Sequence, residues 1–101
     1  MNLSVIIPVY NEVKNIQEIL KRVQSMKLAK EIVVVDDASQ DGTRDILKTL
    51  DGKKKIRVIF HEKNQGKGAA VVTGMKAATG DVLLIQDADL EYDPRDYPAL
   101  L

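Results

Sequence analysis

The sequence predicts an α/β fold: a mainly parallel, Rossmann-like sheet with helices on both faces, in three α/β/α layers. Three observations predict it. Four short, β-branched runs are nearly continuously apolar, as strands buried on both faces are. Stretches with helical periodicity separate them. The unusual polar residues fall in the segments that follow each run. Strand–helix alternation of this kind builds right-handed βαβ units.

The first run, "LSVIIPV" (3–9), reads as a strand, with Pro8 expected to end its sheet pairing. A helix over about residues 13–26 follows, with Val13, Ile16, Ile19, Leu20 and Val23 on one face. Asn11 or Glu12 is its polar cap. The second strand is "EIVVVD" (31–36). In "SQDGT", Asp41 and Gly42 favour a turn and Thr43 caps the next helix, over about 43–50, with Ile46, Leu47 and Leu50 inward. "DGKKK" (51–55) is a solvated turn into the third strand, "IRVIFH" (56–61). The third helix spans about 66–79 and Gly80 is its stop. The fourth strand is "DVLLIQ" (81–86).

A chain of 101 residues suits one domain, here 1–101, and 45% apolar with 30% charged residues is an ordinary soluble balance. Fifteen basic against fifteen acidic residues give zero net charge, which argues against a nucleic-acid binder. With no cysteine, disulfides and thiolate metal sites are excluded. "MNLSVIIPVYNE" lacks the basic region and apolar length of a signal peptide, and no apolar run approaches the ~18 residues of a membrane span. A cytoplasmic location is the expectation.

Ligands of doubly wound sheets sit beyond the carboxyl ends of the strands. The segments to inspect are therefore "YNE", "DDASQDGT", "EKNQGKG" and "DADLE". In the last, Asp87 and Asp89 flank Ala88 just past a strand, and such a pair can present two carboxylates to one point. Oxygen-only ligands favour Mg2+ or Mn2+. A solvated acidic loop is the plainer alternative. Asp36 and Asp37 end the second strand, where a carboxylate can accept hydrogen bonds from a ribose hydroxyl or a base N–H. An Asx turn is compatible with both. Tyr10 can lie flat on a nucleobase or simply pack. "NQGKGAA" leads into a helix whose N-terminal N–H groups can face an anion, but its spacing is neither GxxxxGK[ST] nor GxGxxG. Gly66, Gly68, Ala69 and Ala70 equally suit close helix–sheet packing. His61, the single histidine, reads as structural or exposed rather than catalytic.

In this order, "VIIPVYNE", "IVVVDDASQDGT", "NQGKGAAVVTGM" and "GDVLLIQDADLEYDP" resemble family 2 glycosyltransferases of the A-type nucleotide-sugar fold, and most closely the dolichyl- or polyprenyl-phosphate mannosyl- and glucosyltransferases. The resemblance covers essentially the whole chain. It implies strand order 3-2-1-4, with Pro8, Tyr10, Asn11 and Glu12 lining a nucleotide pocket. Asp36 and Asp37 would meet base and ribose, and Gly66 and Lys67 would lie near the sugar-nucleotide. Asp87, Ala88 and Asp89 would form the D-x-D motif that carries the catalytic divalent cation, with Glu91 as a third ligand where many relatives have Gln. The implied reaction moves a hexose from a UDP- or GDP-linked donor to a lipid phosphate or glycan, with inversion. A lipid-phosphate acceptor, already anionic, needs no general base, and it would place the full-length protein at the cytoplasmic face of a membrane.

The relatives continue past this point with an acceptor half. The resemblance therefore makes 1–101 a donor-binding part, truncated at the C-terminus and without turnover of its own. Its fourth strand would lie at an exposed edge through which copies self-associate. Two other classes fit parts of the pattern. A phosphoacceptor receiver module also uses acids at strand ends, although its acid pair belongs after the first strand. A nucleotide-binding module without catalysis needs nothing beyond the pocket.

Overall fold

The aliphatic runs become the four strands of one parallel sheet. The computed structural model describes residues 2–25 and 29–88. In chain order the elements are β1 (Leu3–Val9), α1 (Ile16–Gln24), β2 (Ala29–Asp36), α2 (Thr43–Leu50), β3 (Ile56–Phe60), α3 (Lys67–Ala77) and β4 (Val82–Ile85). The sheet order is β3-β2-β1-β4. This is the expected 3-2-1-4.

Alternation along β1 sorts the two cores. Leu3, Val5, Ile7 and Val9 join Ile32, Val34, Ile56 and Val58 beneath α1 and α2, whose Ile16, Ile19, Leu20, Val23 and Leu47 fill that layer. Ile6, Val33 and Val35 face the other way, against Ala70 of α3. Helices thus cover both faces. The second layer is thin because α3 sits low on the sheet: a Cβ at Gly74 would come within 2.4 Å of the Ile6 side chain. Close packing therefore falls at Gly74 and Ala70. Gly66 and Gly68, expected to share in it, have open space where a Cβ would be.

Several boundary expectations need correction. Pro8 does not end pairing with β2, which runs on through Pro8↔Val35 and Val9↔Asp36. Pairing with β4 stops at Ile6↔Ile85. The Gln86 N–H donates to the Ile6 carbonyl, and by alternation the missing N–H of Pro8 faces that same side, past the last pair. The first helix begins at Ile16, not Val13. Residues 13–15 form a turn in which the Glu12 carbonyl accepts from Asn15 and Ile16. Neither Asn11 nor Glu12 is the cap; Asn15 holds that position without a side-chain hydrogen bond.

Thr43 is likewise the first residue of α2 rather than its cap, which is Gly42. The Asp41 carboxylate accepts the Thr43 N–H at 3.0 Å instead. Gly80 is not a left-handed stop, since only Gly42, Gly52 and Gly66 have positive φ among the described glycines. It is needed for proximity. A Cβ there would lie 2.5 Å from Ser4 Oγ and 2.7 Å from the Asn2 carbonyl. "DGKKK" is exposed throughout, as expected, with Lys54 and Lys55 at φ 49° and 70°.

The amino ends of the strands are held by one carboxylate. Glu31 Oε2 accepts from the Ser4 hydroxyl at 2.6 Å and from both the N–H and hydroxyl of Thr79, and Arg57 lies 3.5 Å from Oε1. Ser4 Oγ in turn accepts the Gly80 N–H at 2.8 Å. Burial opposes ionisation of Glu31, but the hydrogen bonds from Ser4 and Thr79 and the Arg57 charge outweigh it, lowering the pKa from 4.5 to about 2. A depressed folded-state pKa contributes stability that is fully present above the unfolded value and lost as pH falls through the folded one. Stability should therefore decline between about pH 4.5 and 2. Glu31→Gln should cost about 1–3 kcal/mol at neutral pH and flatten that decline, as read by urea unfolding across pH. An unchanged acid limb in the variant would remove Glu31 from this role.

Candidate functional site

The rim expected to carry the chemistry is a built surface. At the carboxyl ends of β1 and β2 the two loops are stitched together by side chains. The Asn11 N–H donates to Ser39 Oγ and the Gln40 N–H to Asn11 Oδ1, both at 2.8 Å. The Glu12 N–H donates to Thr43 Oγ1 at 3.0 Å and the Val13 N–H to Asp41 Oδ2 at 3.2 Å. Asn11 sits at φ 52° and Ala38 at φ 64°. Asparagine tolerates that region, whereas for an alanine it costs about 1–2 kcal/mol, strain of the kind that concentrates at binding sites.

Asp36 and Asp37 go opposite ways. Asp36 is fully buried toward α2, where Oδ2 accepts the Ser39 N–H at 3.2 Å and lies 3.7 Å from Arg44 Nε. Its Oδ1 has no hydrogen-bond partner among the described residues. Arg44 also donates to the His61 carbonyl at 3.2 Å and lies over the Phe60 ring at 5.0 Å. Asp36 therefore braces the loop from behind.

Asp37 faces the start of α3. Oδ1 accepts the Gln65 N–H at 2.8 Å and lies 2.9 Å from His61 Nδ1, while Oδ2 accepts the Gly66 N–H at 2.9 Å. The Asn64 amide donates to the Asp37 carbonyl at 3.4 Å. Burial works against the charge, yet the donors from Gln65, His61 and Gly66 hold the Asp37 carboxyl below its usual range. His61 is buried and its Nε2 meets Thr73 Oγ1 at 2.9 Å, so it ties Asp37 to the body of α3. This is the structural role expected of it.

Between these walls lies a cleft of about 280 Å³. Of the residues singled out in the sequence, Pro8, Tyr10, Glu12, Asp37, Gly66, Lys67, Asp87 and Ala88 line it. Asn11 and Asp36 do not; they shape the loops from outside. Asp89 and Glu91 lie outside the described residues. Val9 and Asn64 join the lining without having been singled out, and Ala70, expected only to pack helix on sheet, joins it as well. Asn64 stands in the quoted "EKNQGKG" loop, but nothing in its spacing set it apart.

The lining combines groups of distinct character. Tyr10 is 47% exposed, leaving its ring free to be covered. Gly66, at φ 96°, turns the chain so that Lys67 opens α3 beside the cleft. The Lys67 ammonium pairs with Asp87 Oδ1, just beyond β4. No group of three or more His, Cys, Asp or Glu side chains gathers among the described residues. Of the carboxylates expected to hold a cation, Asp87 alone is among the described residues. An aromatic face, hydrogen-bonding groups and a paired ammonium and carboxylate suit a ligand that combines a flat ring with concentrated negative charge.

Comparisons with known proteins identify the family of the chain. The model of glycosyl transferase family 2 matches residues 4–101. The chain is 43% identical over 103 residues to a dolichol-phosphate mannosyltransferase of Pyrococcus furiosus, covering 100% of this chain and 29% of that protein. It is 38% identical over 106 residues to an undecaprenyl-phosphate 4-deoxy-4-formamido-L-arabinose transferase of Pseudomonas aeruginosa, covering 98% and 31%. Among solved structures, a mannosyltransferase from Pyrobaculum calidifontis in complex with GDP-Man and Mn2+ superimposes with a TM-score of 0.83 at 32% identity, over 97% of this chain and 30% of that one. S. aureus TarS 1–349 in complex with UDP-GlcNAc gives a TM-score of 0.82 at 33% identity, over 99% and 30%. The chain spans about three-tenths of the length of these relatives.

Proposed function

The chain belongs to glycosyl transferase family 2, and from that premise we propose that it is the donor-binding part of a metal-dependent, inverting hexosyltransferase. Its donor is a UDP- or GDP-linked sugar and its acceptor a polyprenyl or dolichyl phosphate. The observation that carries this reading is the meeting of Tyr10, Asp37, Lys67 and Asp87 in one cleft at the carboxyl ends of parallel strands. Family membership leaves no role for a phosphoacceptor receiver module.

Each side chain has a task suited to its surroundings. Pro8 and Tyr10 offer flat apolar surface to the nucleobase. An ionised carboxylate has about four lone-pair sites, and three of Asp37's are used within the protein. The remaining one, on Oδ2, accepts a ribose hydroxyl or base N–H. Lys67 supplies positive charge for the diphosphate. Asp87 is a hard oxygen donor at the cleft that already draws a cation, which fits Mg2+ or Mn2+ held by one or two carboxylates, water and phosphate. Asp89, and Glu91 after it, would complete that set. Bound there, the ion would supply charge neutralisation for the departing nucleoside diphosphate.

The polyprenyl-phosphate substrates in the names of two relatives favour the lipid-phosphate acceptor. Among the described residues no helix is long and apolar enough to cross a membrane. For this chain alone the proposal is donor binding without turnover. Calorimetric titration of UDP and GDP, each with and without Mn2+, tests it. One of the two should bind, and more tightly with the ion. Failure of both to bind under either condition would overturn the reading.

A further inference from the structure

Lys67 is the basic residue among the described lining of the cleft, and its partner Asp87 lies on a different segment, just past β4. The backbones that carry them are fixed. α3 is seated on the sheet through Ala70 and Gly74, and β4 is paired with β1 from Leu3↔Val82 to Ile6↔Ile85. The Lys67 side chain is 62% exposed and that of Asp87 31% exposed. A four-carbon stem rooted at the first residue of a helix can swing without moving that helix. An exposed ion pair is weak, so parting it costs little.

We infer that Lys67 is an exchangeable counter-ion: it neutralises Asp87 in the donor-free protein and passes to the donor's diphosphate when Asp87 accepts a divalent cation. The inference rests on the donor-binding reading above and adds a positioning role that the reading does not require. An ammonium and a divalent cation repel each other on one carboxylate. A diphosphate entering the cleft offers the freed ammonium several oxygens, and each lysine N–H is a donor. The same side chain therefore opposes binding of the metal alone and favours binding of the nucleotide.

Those opposite signs make the test. Lys67→Met keeps the stem and removes the charge. Mn2+ alone, followed by electron paramagnetic resonance, should bind about two- to five-fold more tightly to the variant, the range an exposed ion pair supports. UDP and GDP titrated in EDTA should bind about tenfold more weakly, as befits a lost hydrogen bond to a charged group. Lys67→Arg should restore both values toward wild type. Lys63→Met, which removes an exposed lysine outside the cleft lining, should change neither. Unchanged Mn2+ affinity in Lys67→Met, with wild-type nucleotide binding intact, overturns the exchange alone. A wild-type chain that takes up Mn2+ but neither nucleotide overturns the donor reading and the exchange with it.

Discussion

Replacing Asp37 with alanine should nearly abolish nucleotide binding and destabilise the fold by about 3–5 kcal/mol, since several buried donors lose their acceptor at about 1–3 kcal/mol each. Asp37 is 3% exposed, and removal of its side chain leaves the Gln65 and Gly66 N–H groups and His61 without their acceptor. Against a total stability of roughly 5–15 kcal/mol for a small domain, that loss is large. The loop ahead of α3 would lose its anchor, and Gly66 and Lys67 would no longer be held at the cleft. Asp37→Asn is the finer probe, since its amide keeps one acceptor oxygen but points a second donor at a donor. Urea unfolding and paired titrations with nucleotide and Mn2+ decide the matter. Nucleotide affinity should fall in both variants, and Mn2+ affinity in Asp37→Asn should fall far less. Loss of under about 1 kcal/mol with nucleotide affinity intact would show that the acceptors of this loop lie elsewhere.

What could be read from the sequence follows from where each cause resides. Strands buried on both faces leave continuous aliphatic runs, so β1 appeared with its limits intact. β2 begins two residues earlier than expected because Ala29 pairs with Leu3 before a register shift that passes over Lys30 to Ser4↔Glu31, an irregularity that side chains do not advertise. The start of α1 was misplaced because Val13 continues the apolar period of that helix. Its N–H is nevertheless claimed by Asp41, a partner 28 residues away.

The site divides in the same way. That ligand chemistry would gather at the carboxyl ends of the strands was a topological expectation, and eight of the residues singled out do line one cleft. The separation of Asp36 from Asp37 was latent in the alternation of β2, where Asp36 shares a face with Ile32 and Val34. The particular contacts of His61 and Asn64 with Asp37 were not, because they exist only after β2, the end of β3 and the loop ahead of α3 have been brought together.

The last expectation separates the metal from the fold. Replacing Asp87 and Asp89 together with asparagine should erase the gain in nucleotide affinity conferred by Mn2+ while leaving stability nearly unchanged. Asp87 is partly exposed and its described charge partner is Lys67, also exposed, so the lost pair is worth only about 0–1 kcal/mol. Altering groups that merely support metal ligands costs about 10–100-fold in metal affinity, and loss of the carboxylates themselves should cost at least as much. In wild type the ratio of nucleotide affinities with and without Mn2+ should be well above one, and in the double variant close to one. Metal-free affinity is the informative control. With Asp87 neutral, the Lys67 ammonium has no carboxylate to leave, so UDP or GDP in EDTA should bind as well as to wild type or slightly better. The opposite result, a metal-free affinity that collapses while the Mn2+ ratio persists, would make Asp87 a direct partner of the nucleotide and would place the cation elsewhere.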